Sequence, residues 1–361
     1  MGPARGGACG RRRRARLERV LDAVFQGKAD LVGFVRRLFG YCATGDVREQ
    51  IVPVCYGTGS NGKTLVLNAF MYVLGPDYAM KATRDLFMAR KGDSHPTALA
   101  DLHGKQFAAC IETEEGGRLD ETLVKELTGS DPIRARRMRE DYWQFDPTHK
   151  CLLVTNHKPV IRGTDHGIWR RLVLVPFSAR FWDPDKGETG PPSLKADKTL
   201  KDKLDAEAPG ILASVVAGCM EWQRTGLRVP AEVVAATADY RAEQDLLGAF
   251  LQERCVSGAG LRVKASELSA AYEAWCKAEG IEKKGSREFG KAMTERGFER
   301  MTSNGTYYLG VKLRDADAPD YGVGRHGTNG SNGTTSGRDS NSAPHKEVIL
   351  HAATIEAESN I

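Results

Sequence analysis

The sequence predicts an α/β protein, with a short helical segment ahead of its core and a small unit of helices and a hairpin after it. Three observations carry that prediction. Short apolar runs recur at Ile51–Tyr56, Phe107–Ile111, Cys151–Val154 and Leu172–Val175, and each fits a buried strand. Helical or loop segments separate these runs, the alternation expected of an α/β fold. Beyond them, residues 258–312 read as helix, helix and hairpin, the order of a winged helix.

Taken in order, residues 1–15 are rich in Gly and Arg and read as a disordered basic N-terminus. Residues 16–50 place Leu17, Val20, Leu21, Val24 and Phe25, then Leu31, Phe34, Val35, Leu38 and Phe39, at helical spacing, which predicts two short helices. Residues 51–182 form the α/β core; Pro53 sits awkwardly in a central strand and is expected near its start. Residues 183–256 begin as an exposed loop rich in Asp, Lys, Gly and Pro and continue as helices. Residues 257–312 form the winged-helix-like unit. Ser266 and Ser286 can cap its helices, and Ser303-Asn304-Gly305 makes the hairpin turn. Residues 313–361 are polar, with little to bury, and read as a disordered tail.

Bulk properties exclude some classes and leave others open. The chain has 361 residues, enough for a large core. A net charge of +5 suits nucleic acid without requiring it. No stretch approaches the roughly 18 consecutive apolar residues of a membrane span. The run Arg11–Arg14 has no apolar segment after it, which argues against a secretory signal. The cysteines form no CxxC and no cluster with His at metal-ligand spacing, as for reduced intracellular thiols.

Gly57-Thr58-Gly59-Ser60-Asn61-Gly62-Lys63-Thr64 fits the pattern GxxxxGK[ST]. Such a loop wraps phosphates with successive backbone N–H groups, which its glycines permit. Lys63 would reach the β- and γ-phosphates and Thr64 would offer its hydroxyl to Mg²⁺, so ATP and Mg²⁺ are the expected ligands. An apolar run precedes the loop and a helix from Thr64 to about Leu74 comes after it, aiming its N-terminal dipole at the phosphates. The run Phe107–Ile111 ends in Glu112, Glu114 and Glu115. One carboxylate could hold the Mg²⁺ shell, with Glu112 leaving the strand first, and another could orient or deprotonate water; the roles stay open among the three. Asn156, after Cys151–Thr155, could touch both the γ-phosphate and the water. Arg170 and Arg171 could pair with local acids or act as an arginine finger on a neighbouring subunit.

GTGSNGKT, then ETEEGGRLDETLVKELTGSDPIRARR and FDPTHKCLLVTNHKPVIRGTDHGIWRR, resembles the C-terminal helicase part of phage and plasmid primase-helicases. These belong to helicase superfamily 3 and are similar to the poxvirus primase-helicase. The resemblance covers roughly residues 16–180 densely and 204–312 loosely. It implies an AAA+-like core and a homo-hexameric ring with ATP sites between subunits. It also implies 3′ to 5′ translocation on the single-stranded DNA of a replication fork. By that resemblance Glu112, Glu114 and Glu115 are Walker B acids, Asn156 is sensor 1, and Arg170 or Arg171 is the finger, with Arg171 slightly favoured. Family members carry a primase or related domain ahead of the helicase. Here little precedes Gly57, so primer synthesis is not expected, and a separate primase or initiator is an expected partner. A phage or mobile-element origin and a bacterial host cytoplasm go with the same resemblance.

Arg134, Arg136, Arg137 and Arg139 fall close together, with Tyr142, Trp143 and Phe145 just after them. Charges that track a strand and rings that stack on bases make this a candidate DNA surface, and the family places a DNA-contacting hairpin here, ending near Thr148, His149 and Lys150. Arg287 and Lys291, on the second helix of the C-terminal unit, are further candidates for phosphate contact. Two other functions fit the nucleotide loop: a small-molecule kinase, and a DNA-binding regulator that holds ATP without turnover. Nothing marks an acceptor pocket for the former, and the intact Lys63 with its acids disfavours the latter.

Overall fold

The computed structural model describes residues 7–83, 86–89, 96–111, 117–163, 166–281 and 283–314. Glu112, Glu114, Glu115 and the tail from residue 315 therefore lie outside the described residues, as do residues 1–6. The chain opens with α1 (Gly7–Val24) and α2 (Ala29–Cys42). α1 thus starts inside the stretch that composition alone reads as disordered; arginine propagates a helix well once an apolar stripe anchors one end. That stripe, Leu17, Val20, Leu21 and Val24, is buried.

The core then runs through β1 (Val52–Tyr56), α3 (Lys63–Tyr78), β2 (Ala79–Ala82), α4 (Pro96–Ala100), β3 (Phe107–Ile111) and α5 (Glu121–Leu127). It continues with β4 (Ile133–Ala135), β5 (Trp143–Phe145), β6 (Lys150–Thr155), α6 (His166–Trp169) and β7 (Leu172–Pro176). After an exposed stretch come α7 (Leu200–Asp205), α8 (Ala208–Thr225) and α9 (Ala231–Gln244). The regular part of α3 ends where expected, because Gly75 has φ 73° and Pro76 comes directly after it.

Five strands form one parallel sheet in the order β2-β3-β6-β1-β7. β1 lies between β6 and β7, so the chain crosses over β1 in passing from one to the other. Alternate side chains go to opposite faces. Cys55, Phe107, Ala109, Leu152, Val154, Val173 and Val175 pack with α1, α2, α3 and α8. Val52, Val54, Ala108, Cys110, Cys151, Leu153, Leu172 and Leu174 pack against α4, α5, α6 and α9. Burial on both faces explains why these strands read as unbroken apolar runs. Pro53 does sit in a central strand. Val52 donates its N–H to Arg171 O on the β7 side, so Pro53, one residue on, turns its missing donor towards β6; pairing with β6 begins only at Val54, opposite Leu153.

The C-terminal part comprises α10 (Leu246–Arg254), β8 (Cys255–Lys264), α11 (Ala265–Ala278), α12 (Ser286–Glu295), β9 (Arg300–Thr302) and β10 (Thr306–Leu313). Its three-stranded sheet has the order β8-β10-β9, all antiparallel. Phe250, Leu268, Tyr272, Trp275, Phe289, Met293, Tyr308 and Val311 make a core of its own. Both helices and the hairpin are where the sequence reading has them, but neither serine caps its helix: Lys264 and Gly285 hold the cap positions, and Ser266 and Ser286 lie inside the first turns. β8 does not appear in that reading: its Gly258 and Gly260 break the alternation, and residues 256–260 are exposed. Among the described residues no helix is long and apolar enough to cross a membrane.

Candidate functional site

Because β1, β3 and β6 are parallel and in register, their carboxyl ends meet at one edge of the sheet. Cys55 pairs with Val154 and Tyr56 with Thr155, while Ile111 pairs with Val154 from the other side. The segments that leave these strands therefore start at that edge: the Gly57–Thr64 loop from β1, the chain into the acidic stretch from β3, and Asn156 from β6. A crevice beside the strand where the crossovers diverge is where open α/β sheets bind ligands.

The loop's glycines are required by contact and by conformation. A Cβ on Gly57 would lie 2.3 Å from Asn61 Nδ2 and 2.4 Å from Phe177 O. Gly62 has φ 81°, and a Cβ there would meet Val24 Cγ2 at 2.8 Å. Ser60 also takes a left-handed conformation, at φ 47°, costly for a non-glycine residue and common at functional loops. Gly62 is the N-cap of α3 and makes no side-chain cap bond, so the helix presents its first-turn N–H groups, with Thr64 exposed in that turn. Thr58 and Ser60 are exposed as well, whereas Asn61 is buried and donates to Phe177 O over 3.3 Å.

Lys63 is buried, and its Nζ donates to Gly57 O at 2.6 Å, Asn156 Oδ1 at 3.0 Å and Asn61 Oδ1 at 3.1 Å. Two residues 93 positions apart in sequence, both singled out from it, are thus in contact. Burial pushes the Lys63 ammonium below its usual range, with Cys55 beside it acting the other way. Asn156 itself is exposed.

A cavity of about 600 Å³ adjoins the loop at Ser60 and Gly62, lined by apolar Val20, Val24, Leu65 and Phe181 and also by charged side chains, among them Arg16, Arg19, Asp183, Lys186 and Lys203. Phe181 donates its N–H to Ser60 O at 2.7 Å, which ties the exposed 183–197 stretch to the loop. Sequence reasoning missed this cavity, because its walls come from α1 and from a stretch that carries no motif. It also missed Lys158, two residues beyond Asn156. Lys158 Nζ bonds Glu243 at 2.8 and 2.9 Å and lies 5.1 Å from the centre of the Tyr56 ring.

Arg170 and Arg171 sit at the amino end of β7. β7 runs parallel to β1, with Leu172 opposite Val52. They therefore lie a strand's length from the loop of their own chain, on the order of 15 Å. Arg171 is half-buried and donates to Thr128 Oγ1 at 3.0 Å and Gly167 O at 2.7 Å. Arg170 is exposed and bonds Gln50 at 3.2 Å.

β4 and β5 pair as a hairpin, Ile133 opposite Phe145. Phe145 is buried at its base, while Arg134, Arg136, Arg137 and Arg139 are exposed. Arg134 and Arg136 lie 4.5 and 4.8 Å from the Tyr142 ring, which is itself exposed. His149 and Lys150 depart from expectation. They are 1% and 4% exposed, so neither presents a group to a DNA strand. The reason is that they enter β6 at its amino end: Lys150 Nζ turns inward to Thr44 O and to Thr148 O at 3.0 Å, over the Tyr41 ring. Arg287 and Lys291 are exposed on α12.

Residues 55–171 match a family of unknown function (DUF5906), and residues 242–306 match the Poxvirus D5 protein-like family. The chain is similar to helicases and primases of large DNA viruses. It is 28% identical over 60% of its length to a candidate helicase of Acanthamoeba polyphaga mimivirus and 26% identical over 64% to one of Frog virus 3. A candidate primase of African swine fever virus is 26% identical over 63% of the chain. The match spans only 24–25% of the length of these relatives. Among solved structures, the NrS-1 C-terminal region aligns over 82% of this chain and 76% of its own, with 11% identity and a TM-score of 0.46.

Proposed function

We propose that the chain is an ATP-hydrolysing DNA helicase motor that works as one subunit of a ring, with Gly57–Thr64 as its P-loop. The contact of Lys63 Nζ with Asn156 Oδ1 is the observation that carries this reading. It supports the reading because it brings a lysine suited to binding phosphate and an amide suited to orienting water to one point at the carboxyl edge of the sheet. A triphosphate in the loop would take Lys63 away from Gly57 O and Asn156, releasing the amide to hold the attacking water. Main-chain N–H groups of the loop and of α3 would hold the phosphates. The 600 Å³ cavity beside Ser60 and Gly62 is large enough for a nucleoside.

Magnesium, bound with the nucleotide, would neutralise charge between the β- and γ-phosphates. Thr64 fits as one of its ligands, being exposed in the turn directly after Lys63, and Glu112 is the acid assigned to it. Glu114 and Glu115 remain the candidates for handling the water. The exposed Arg170, rather than the engaged Arg171, is the finger that would complete a neighbour's site. The arginines of the β4–β5 hairpin, with Tyr142, would track single-stranded DNA. The C-terminal unit, with its order β8-α11-α12-β9-β10, would serve as a winged helix that sets Arg287 and Lys291 against phosphates.

Hydrolysis of ATP measured with and without single-stranded DNA tests this. The expected result is hydrolysis that DNA stimulates and that Lys63→Ala abolishes. Turnover that requires a nucleoside or other small acceptor would instead establish a kinase, and nucleotide binding without turnover a regulator.

A further inference from the structure

Residues 157–163 form a strap between the nucleotide edge and the C-terminal unit, with a partner at almost every residue. At the near end, His157 donates its N–H to Thr155 Oγ1 at 3.0 Å, directly beside Asn156. Lys158 then bonds Glu243, and Pro159 O accepts from the Tyr240 hydroxyl. Ile161 N–H donates to Gln244 Oε1 at 2.9 Å. Tyr240, Glu243 and Gln244 all lie on the last turns of α9, which leads into the C-terminal unit through Asp245.

The other side of the strap faces the segment just beyond the acidic stretch. Leu119 N–H donates to Val160 O at 2.9 Å, and Val160 N–H donates to Gly117 O at 2.8 Å. Glu121 Oε1 accepts from Arg162 N and Gly163 N at 3.0 and 2.7 Å. A Cβ on Gly163 would lie 1.9 Å from Glu121 Oε2, so any larger residue would displace this carboxylate from the strap. The strap, which begins directly after Asn156, is therefore also bonded to the segment after the acidic stretch.

At the far end, two side chains of the C-terminal unit reach the strap and its anchor. Lys284 Nζ donates to Arg162 O at 3.1 Å, and Arg296 pairs with Asp245. A cleft of about 230 Å³, lined by Gly163, Trp169, Gln244, Asp245 and Arg296, lies against this junction. Burial and the nearby Arg296 both hold the Lys284 ammonium below its usual range, so it stays at this carbonyl at some cost.

We propose that this strap transmits nucleic-acid binding at the C-terminal unit to Asn156, with Lys284 as the positioning residue at its far end and Glu243 as the one at its near end. The inference rests on the chain being a DNA-stimulated ATPase. A displacement of α12 by DNA would pull on Arg162 through Lys284. The bonded path carries that pull to Lys158 and Asn156 on one side and to residues 117–121 on the other. Lys284 Nζ is held at Arg162 O on the strap, so its expected effect is on coupling.

The test is steady-state ATP hydrolysis by this chain as wild type, Lys284→Met, Lys284→Arg and Glu243→Gln, with and without a single-stranded oligonucleotide. Binding of the same oligonucleotide is measured by fluorescence polarisation. Expected are unchanged basal turnover and DNA affinity in Lys284→Met, a stimulation reduced by at least about fivefold, the low end of site-to-site coupling, and recovery in Lys284→Arg. Glu243→Gln, which keeps the side chain's size, should lose stimulation in the same way. Lys284→Met stimulated like wild type overturns the strap. So does a parallel loss of DNA affinity, which would make Lys284 a DNA contact. If Lys284→Met does not fold, a folded Glu243→Gln with full stimulation overturns it equally. A wild type that DNA does not stimulate overturns the underlying reading instead.

Discussion

The Lys63 ammonium is buried among three oxygens, so removing it leaves Gly57 O and the Asn61 and Asn156 amides without their cation. Lys63→Ala should abolish turnover, and Asn156→Ala should lower kcat by about 10²-fold or more while leaving nucleotide affinity nearly intact, the sign of an interaction made only in the transition state. Rapid-quench hydrolysis alongside nucleotide titration reads the two separately. Both residues were legible in the sequence because each comes after an apolar strand at a fixed offset. His149 and Lys150 were misread for the converse reason: a basic pair beside aromatics looks alike whether its side chains turn outward or inward, and only packing at the amino end of β6 decides. Their burial predicts a pH dependence. Burial, reinforced by Lys150, pushes His149 down to about 4 from the ordinary 6.5. The unfolded chain then takes up a proton before the folded one does. The contribution of His149 is therefore complete above pH 6.5, and stability should fall by up to about 3 kcal/mol as pH drops from there towards 4. Lys150, held down to about 8 from 10.5 by its burial, has the same sign higher up, with stability rising between those values. Urea midpoints across pH should show the acid slope in wild type and lose it in His149→Gln.

At the scale of elements, the site depends on helices that do not touch it. α8 crosses α2 so closely that a Cβ on Gly40 would lie 2.1 Å from Cys219 N, and one on Gly218 would lie 2.1 Å from Arg36 O. Arg37 locks the same crossing through Glu221 at 2.8 Å and Leu227 O at 2.9 Å. Since the obstructing atoms are backbone, Gly40→Ala must part the helices. The expected cost is about 1–3 kcal/mol or more, read as a lower urea midpoint. No motif marks this glycine pair. β1, β3, β6 and β7 were readable because burial on both faces demands apolar residues at nearly every position. β2, β4 and β5 were not: they are short and partly exposed, and their residues reflect local pairing more than any periodic demand. β8 was missed for a further reason. Its ladder with β10 shifts register between Leu309 and Val311, where Gly310 has φ 80°, so part of β8 runs without the alternation that marks a strand.

For the molecule as a whole, the position of Arg170 bears on how the proposed ATPase would assemble. Gly57–Thr64 and Asn156 occupy the carboxyl edge of the sheet, while Arg170 stands exposed at the amino edge. On the proposed reading, a finger at that end of its own chain could act only on a neighbour, which would place each complete site between two subunits and favour a closed head-to-tail ring. Size measurement with ATP should then give an assembly larger than a monomer. Complementation gives the sharper expectation. Lys63→Ala and Arg170→Ala chains should each be inactive, because every site in either assembly lacks one half. Mixed in equal amounts and allowed to exchange, they should recover activity. A site is whole where an Arg170→Ala chain supplies the loop and a Lys63→Ala chain supplies the arginine. Random mixing makes about a quarter of all interfaces whole in this way. Hydrolysis should therefore climb to a measurable fraction of wild type, reduced further if the subunits must fire in turn. A mixture that stays as inactive as its components, under conditions where labelled subunits are seen to exchange, would show that Arg170 completes no neighbouring site.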